Sequence, residues 1–160
     1  MVRSVRAYHR DTMNRTELAT ARFNQGFSCS QCICATYAPL FGAEEAIALR
    51  MAASYGGGMG HLDGLCGAVA GALIVIGLAR FHETGDIRAD KTRVYEVVEA
   101  FVRRFKERHG STQCTGLLGY NLSKRDELVA AVKANRFAEV CPRYLAEACR
   151  LLDELLELEP

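Results

Sequence analysis

The most apolar stretch of the chain, residues 65–79, contains no charged residue, proline or asparagine. It is too short to cross a membrane, because a spanning helix needs about 20 apolar residues. A segment that is apolar on every face is typical of a helix buried on all sides, with the other elements packed around it. Gly67, Gly71 and several alanines keep this helix thin, so we expect neighbouring backbones to approach it closely.

Apolar residues recur at helical spacing along most of the remaining chain. Asn14, with Glu17 three residues on, and Ser28 are suitable N-caps for the first two helices. In the third helix, Ile47 and Met51 are expected to face inward. The helices predicted besides 65–79 span residues 15–25, 29–38, 43–54, 91–109, 112–118 and 124–135, and a last one begins at Pro142.

No stretch shows the sustained apolar–polar alternation of a strand. The sequence therefore predicts an all-α fold of about seven helices around the buried helix 65–79. We expect a single compact domain over residues 15–158, preceded by a basic N-terminal segment, residues 1–14.

A glycine-rich segment leads into the central helix. Its three consecutive glycines, Gly56, Gly57 and Gly58, should not form regular structure, because glycine loses the most backbone entropy on ordering. The glycines either cradle a phosphate or let backbone pass closely over the nearby cysteine, and the sequence lacks the Lys-Ser/Thr ending of a phosphate-binding loop. Together with His61, a candidate base or ligand like Asp63, they are the candidate cofactor-binding residues.

The composition argues against several classes of function. A net charge of +1 gives no reason to expect nucleic-acid binding, and no segment suits a membrane. The first residues lack the apolar core of a secretory signal, so we expect a cytoplasmic protein. Seven cysteines in 160 residues are an odd number in a chain of ordinary size, which argues against a secreted disulfide scaffold. In a reducing compartment such a set more often indicates metal binding or redox chemistry.

Four of the cysteines fall at predicted helix starts: Cys29, Cys66, Cys114 and, directly before Pro142, Cys141. Free backbone N–H groups and the positive end of the helix dipole favour a thiolate at such positions. These thiolates could exchange disulfides as catalytic residues, or bind a thiophilic metal or an iron–sulfur cluster as ligands. Both hypotheses use the same four residues.

The remaining cysteines are less informative. Cys29 and Cys32 form a Cys-x-x-Cys pair on one face of a helix, but no second close pair completes a common zinc motif. Cys34 and Cys149 are expected to be packing thiols, since Cys149 lies in a stripe of leucines.

The chain resembles the family of redox-active proteins named after the cysteine signature C…GCAxxG…C…C. The matching segments are residues 23–31, 56–60, 65–78, 105–114 and 141–142. The resemblance implies that Cys29, Cys66, Cys114 and Cys141 are the signature cysteines, and that Cys32 and Cys34 are additional. This chain departs from the label in reading Cys66-Gly67-Ala68, without a glycine before the cysteine.

The family is similar to the helical domain of split-Soret cytochromes, but this chain has no Cys-x-x-Cys-His site, so covalent haem is not implied. The resemblance implies redox activity and names no substrate. Three hypotheses follow: a thiol redox protein with an unidentified redox partner, a metal- or cluster-binding module, and a helical interaction protein. In the last, the apolar face of residues 151–158 could join a partner helix or form a homodimer.

Overall fold

A computed structural model describes residues 13–159, so most of the expected basic segment 1–14 lies outside the described residues. Within this range the chain forms eight right-handed helices, which confirms the all-α prediction, and one left-handed helical turn, α4, which was not expected. The elements are α1 (Arg15–Asn24), α2 (Cys29–Tyr37), α3 (Glu45–Ala52), α4 (Gly56–His61), α5 (Gly67–Arg80), α6 (Ile87–His109), α7 (Cys114–Leu118), α8 (Arg125–Lys133) and α9 (Arg136–Leu155). Short 3-10 turns, Ala38–Phe41 and Ala53–Tyr55, follow α2 and α3.

Helix α5 is the predicted central helix, starting two residues later than expected, with Cys66 as its N-cap. Its first six residues are all buried, whereas Leu78 in its last turn is 41% exposed. The helix is therefore buried on all sides only in its N-terminal half. No helix among the described residues has the length and apolar character needed to span a bilayer.

Helices α2 and α5 pack against each other at unusually short range. A methyl group placed on Gly71 would lie 2.9 Å from the Ser30 carbonyl oxygen, and one on Gly67 would lie 3.0 Å from the Cys29 Cβ atom. Because glycine has no Cβ, the two backbones can approach to a separation that alanine would prevent. The prediction of close backbone approach to the central helix is confirmed.

The start of α2 is fixed by a capping box. The Ser28 side chain accepts a hydrogen bond from the Gln31 backbone N–H, and the Gln31 side chain accepts one from the Ser28 N–H. Two backbone donors of the first turn are thereby satisfied, so Cys29 becomes the first residue of the helix. Asn14 and Glu17 form the same arrangement at α1, as predicted.

The last helix begins earlier than the sequence indicated. Pro142 was expected at the first helical position, but α9 starts at Arg136 and contains Pro142 in its interior. An internal proline removes one backbone hydrogen bond, here to the carbonyl of Ala138, which lies on the exposed face where water can solvate it. Burial of Val140, Tyr144 and other apolar residues on the opposite face keeps the chain helical through the proline.

Two other expectations about helices were wrong. Ile47 and Met51 do not face inward; they are 42% and 61% exposed, and Ala48 and Ala52 are buried instead. Small residues are needed on this face because α3 lies close to α2, where the Ser30 hydroxyl donates to the Ala52 carbonyl at 2.8 Å.

Helix α6 begins at Ile87, four residues before the predicted start. The Asp86 carboxylate accepts a hydrogen bond from the Ala89 N–H at 3.0 Å and caps the helix there. The extra turn contributes no buried apolar residue, since Ile87 is 67% exposed and its one buried side chain is that of Asp90, so the apolar spacing on which the sequence prediction depended could not reveal it.

Candidate active site

The four cysteines singled out from the sequence lie near one another in the fold. Cys29 is the first residue of α2, Cys66 caps α5 and Cys114 is the first residue of α7, so three of the four predicted helix-start positions are confirmed. Cys141 lies in the interior of α9, and its predicted place at a helix start was wrong. Its thiol nevertheless contacts that of Cys29, and the charges of the four thiols affect one another.

A single antiparallel bridge between Leu65 and Gln113 holds Cys66 next to Cys114. The Cys66 N–H donates to the Thr112 carbonyl at 2.8 Å, and the Cys114 N–H donates to the Gly64 carbonyl at 3.0 Å. Since side chains alternate along extended backbone, the two cysteines, each next to a bridged residue, lie on the same face of the bridge. Two residues of strand-like pairing thus bring together the starts of α5 and α7.

Contrary to our expectation, the glycine-rich segment forms regular structure, but the helical turn is left-handed. Gly57, Gly58, Met59 and Gly60 all have φ between 59° and 73° with positive ψ, so α4 is a turn of left-handed helix. Such runs are rare because a Cβ atom on an L-residue crowds the following carbonyl at a cost of roughly 1–2 kcal/mol per residue. Glycine avoids that cost at three of the four positions.

The left-handed turn covers Cys114. A methyl group on Gly58 would lie 2.8 Å from the Cys114 Cβ atom, so the backbone passes directly over this cysteine. A methyl group on Gly56 would lie 2.3 Å from the Cβ atom of Ser28, the N-cap of α2. The interpretation that these glycines permit close backbone approach is therefore supported, whereas a cofactor-binding role for Gly56, Gly57 and Gly58 remains a prediction.

The polar residues of this segment differ in their contacts. His61 is exposed and its ring lies against Gly57, where a methyl group would approach it to 2.7 Å. Its predicted role in cofactor binding stays a prediction. Asp63 accepts hydrogen bonds from the Thr115 hydroxyl and, at 3.3 Å, from the Asn121 amide. Asp63 therefore fastens the glycine-rich segment to α7 and to the loop that follows.

Cys29 and Cys141 form a hydrogen-bonded pair in which the two thiols have opposite electrostatic properties. The Cys29 thiol donates to the Cys141 sulfur, and this bond, aided by the positive charges of Arg136 and Arg143, lowers the pKa of Cys141. The same bond and burial raise the pKa of Cys29, which holds the proton. At the first deprotonation the pair therefore carries its negative charge on Cys141.

The other two signature thiols are kept protonated. Burial raises the pKa of Cys66 to about 11, although the N–H groups of Ala68 and Val69 at the start of α5 act to lower it. Burial also raises the pKa of Cys114 to about 12, with a further contribution from Cys66. The helix-start argument identified a real effect at Cys66, but desolvation of the charged form outweighs it.

The two arginines that act on Cys141 were missed by the sequence analysis. The Arg143 guanidinium lies 4.7 Å from the centre of the Tyr144 ring and donates to its hydroxyl at 2.6 Å. Arg136 donates to the Leu118 carbonyl at 2.9 Å. No sequence signal could have selected them among the chain's many arginines, because their importance depends on the contact between α9 and the start of α2.

A metal centre was the alternative use of the four cysteines, and their thiols have the soft donor chemistry that such a site needs. Among residues 13–159, however, no group of three or more histidine, cysteine, aspartate or glutamate side chains has an arrangement that could hold a metal ion. The donor chemistry fits a thiophilic metal, but the positions of the donors do not.

Comparison with known protein families assigns the chain to one of them. A family described as "Putative redox-active protein (C_GCAxxG_C_C)" matches residues 27–155. The match covers most of the chain, including all four signature cysteines, so the protein belongs to this family. Neither the curated proteins nor the solved structures yielded a match.

Proposed function

We propose that the protein is a thiol–disulfide oxidoreductase in which Cys141 is the attacking thiolate and Cys29 is the resolving thiol. The observation that carries the proposal is the hydrogen-bonded contact between the two thiols, with the lowered pKa on Cys141. Only thiolates attack disulfides at useful rates, and two thiols in contact need little motion to become bonded. Cys29 is half-buried and gives the pair its access to solvent, since Cys141 is only 7% exposed.

The reaction balances as a transfer of two electrons to a disulfide substrate. The Cys141 thiolate attacks one sulfur of the substrate, forming a mixed disulfide and releasing the other sulfur as a thiolate. Cys29 then loses its proton and attacks the Cys141 sulfur. The Cys29–Cys141 disulfide forms, and the second substrate sulfur leaves as a thiolate that takes up a proton.

In this proposal, Cys66 and Cys114 form a second dithiol. They lie on one face of the Leu65–Gln113 bridge, and their raised pKa values make them slower to react than Cys141. Oxidation of the protein is therefore expected in two steps, first at Cys29 and Cys141 and later at Cys66 and Cys114. All seven thiols are free in the structure, which suits a reducing compartment such as the cytoplasm.

The test is a free-thiol count with disulfide mapping during titration with glutathione disulfide. We expect the count to fall from seven to five as the Cys29–Cys141 bond forms, and then to three as a Cys66–Cys114 bond forms. Cys141→Ser should block the first step, whereas the matched variant Cys149→Ser, on the same helix, should leave it unchanged. Seven free thiols throughout the titration would refute the proposal.

A further inference from the structure

Cys32 lies about one helical turn from Cys29 on α2 and has no role in the proposed redox pair. It is three residues after Cys29 on α2, so both side chains project from the same face of the first helical turns. Its side chain is fully buried, and its thiol donates a weak hydrogen bond to the Phe27 carbonyl at 3.6 Å. The charge of Cys32 affects Cys29, which places the two sulfurs in one cluster.

A buried arginine is the second unusual feature of this region. Arg22, at the end of α1, is only 7% exposed, and its Nη2 atom pairs with the Glu45 carboxylate at 2.9 Å. Its Nη1 atom is buried and has no hydrogen-bond partner within the described part of the chain. An unsatisfied buried guanidinium nitrogen is costly, and such exceptions need an explanation. The guanidinium is near enough for its charge to favour a thiolate at Cys32.

We propose that Cys32 is a second resolving cysteine: it attacks Cys29 in the Cys29–Cys141 disulfide, with Arg22 stabilising the attacking thiolate. This step depends on the function proposed above. The Cys32 sulfur forms a bond to the Cys29 sulfur while the Cys29–Cys141 bond breaks, and the electron pair leaves on Cys141. The number of disulfides is unchanged, the Cys32 proton is lost to solvent, and Cys141 leaves as the thiolate that attacks the next substrate.

The direction of this exchange follows from the leaving group. A thiol with a low pKa leaves a disulfide faster than one with a high pKa, because its thiolate is the weaker base. Cys141 has the lowered pKa, whereas the pKa values of Cys29 and Cys32 are raised. The bond is therefore expected to move to the two more basic sulfurs, and the negative charge is expected to return to Cys141.

Helix geometry permits the Cys29–Cys32 bond. Cα atoms three residues apart in an α-helix are separated by about 5 Å, which is within the range of roughly 4.4–6.8 Å found in disulfides. The Cβ atoms must move closer by about 1–2 Å. Cys29 can make this adjustment because, as the first residue of α2, it donates no backbone hydrogen bond within the helix.

The remaining two cysteines are poorer partners for Cys29. The Cys34 thiol points to α5 and donates to the Gly71 carbonyl at 3.5 Å. The Cys149 thiol is directed at α1, with the Arg15 carbonyl 3.9 Å away. Cys34 is therefore the matched control for Cys32, because both are buried thiols on α2.

The experiment is an acid-quenched time course after mixing the reduced protein with one equivalent of glutathione disulfide, with disulfides mapped by mass spectrometry. In the unaltered protein we expect the Cys29–Cys141 bond to form first and to be replaced by Cys29–Cys32. Cys32→Ser should stop at Cys29–Cys141, Cys34→Ser should behave like the unaltered protein, and Arg22→Gln should slow the second step about tenfold.

A Cys29–Cys141 bond that persists in the unaltered protein would overturn the inference while leaving the proposed function intact. A Cys32–Cys149 bond in place of Cys29–Cys32 would also overturn it. If no Cys29–Cys141 bond forms at any time, the proposed function itself fails. The unaltered protein distinguishes these results, so the test does not depend on the variants being stable.

Discussion

Helix α9 carries two buried cysteines, two turns apart, that differ in almost every chemical respect. Cys141 contacts a thiol that donates to it and is near two arginines, and its pKa is lowered. Cys149 is fully buried among apolar residues, and burial raises its pKa to about 11. The two positions share a helix and a low exposure, so neither secondary structure nor burial decides which thiol is reactive. The balance of effects decides it: at Cys149, burial and the negative charge of Asp153 outweigh the Tyr37 and Thr16 donors and the charge of Arg15, whereas at Cys141 the Cys29 donor and two arginines outweigh burial.

The largest expected difference between the two cysteines is in the rate of alkylation. With a pKa of about 11, roughly one Cys149 in 10,000 is a thiolate at pH 7, whereas the lowered pKa of Cys141 gives it a larger thiolate fraction. We expect iodoacetamide to label Cys141 much faster than Cys149, measured by peptide-resolved mass spectrometry. Equal labelling rates would remove the basis for naming Cys141 as the attacking thiolate.

The same contrast predicts opposite effects on stability in alkaline solution. Between pH 9 and about 11 the unfolded chain loses the Cys149 proton while the folded chain keeps it, so stability falls by up to about 1.4 kcal/mol per pH unit. Cys141 acts in the other direction: its stabilising contribution is complete above the unfolded pKa and is lost as pH falls through the lowered folded pKa.

Urea unfolding from pH 7 to 10.5 measures both contributions. Cys149→Ala should flatten the loss of stability above pH 9, because it removes one of the thiols with a raised pKa. Cys141→Ala should instead remove a rise in stability on the approach to pH 9. Identical pH profiles for the two variants would show that the difference in environment has no energetic consequence.

A smaller effect is expected from the packing that places Cys29 beside Cys141. Gly71→Ala would force α2 away from α5, because the new methyl group would lie 2.9 Å from the Ser30 carbonyl oxygen. We expect a loss of about 1–3 kcal/mol in the free energy of unfolding and slower labelling of Cys141. Gly77→Ala, on the same helix with open space around it, should stabilise the protein by about 0.5–1 kcal/mol. Denaturant unfolding of the pair measures this, and equal effects would contradict the packing argument.

The parts of the fold that were predicted correctly are those determined by neighbouring residues. The capping boxes at Asn14 and Ser28 were recognisable because both partners lie within one turn of each other. The central helix could be recognised because its apolar run is continuous. Pro142 was misread because proline favours a first helical position, and only tertiary packing shows that the helix passes through it.

The sequence predicted which cysteines lie together in the site, but not the order of their pKa values. Spacing and resemblance selected four cysteines that do converge, but the ranking of their pKa values depends on contacts between segments far apart in sequence. The hydrogen bond between the Cys29 and Cys141 thiols and the desolvation of the Cys66 thiol cannot be predicted from local sequence. The inward face of α3 was misjudged for a related reason, since the proximity of α2 favours alanine there over Ile47 and Met51.

The left-handed turn over Cys114 has a stereochemical consequence. Because its backbone is the mirror image of an ordinary helical turn, D-amino acids fit its dihedral angles without strain, whereas an L-residue such as Met59 adopts them at a cost. A D-alanine introduced at Gly60 by chemical synthesis should therefore stiffen the segment, whereas L-alanine there should strain it. In this turn above the thiols, the backbone has the opposite hand to the one that L-amino acids favour. Glycine is the only encoded residue that adopts this conformation without a steric cost.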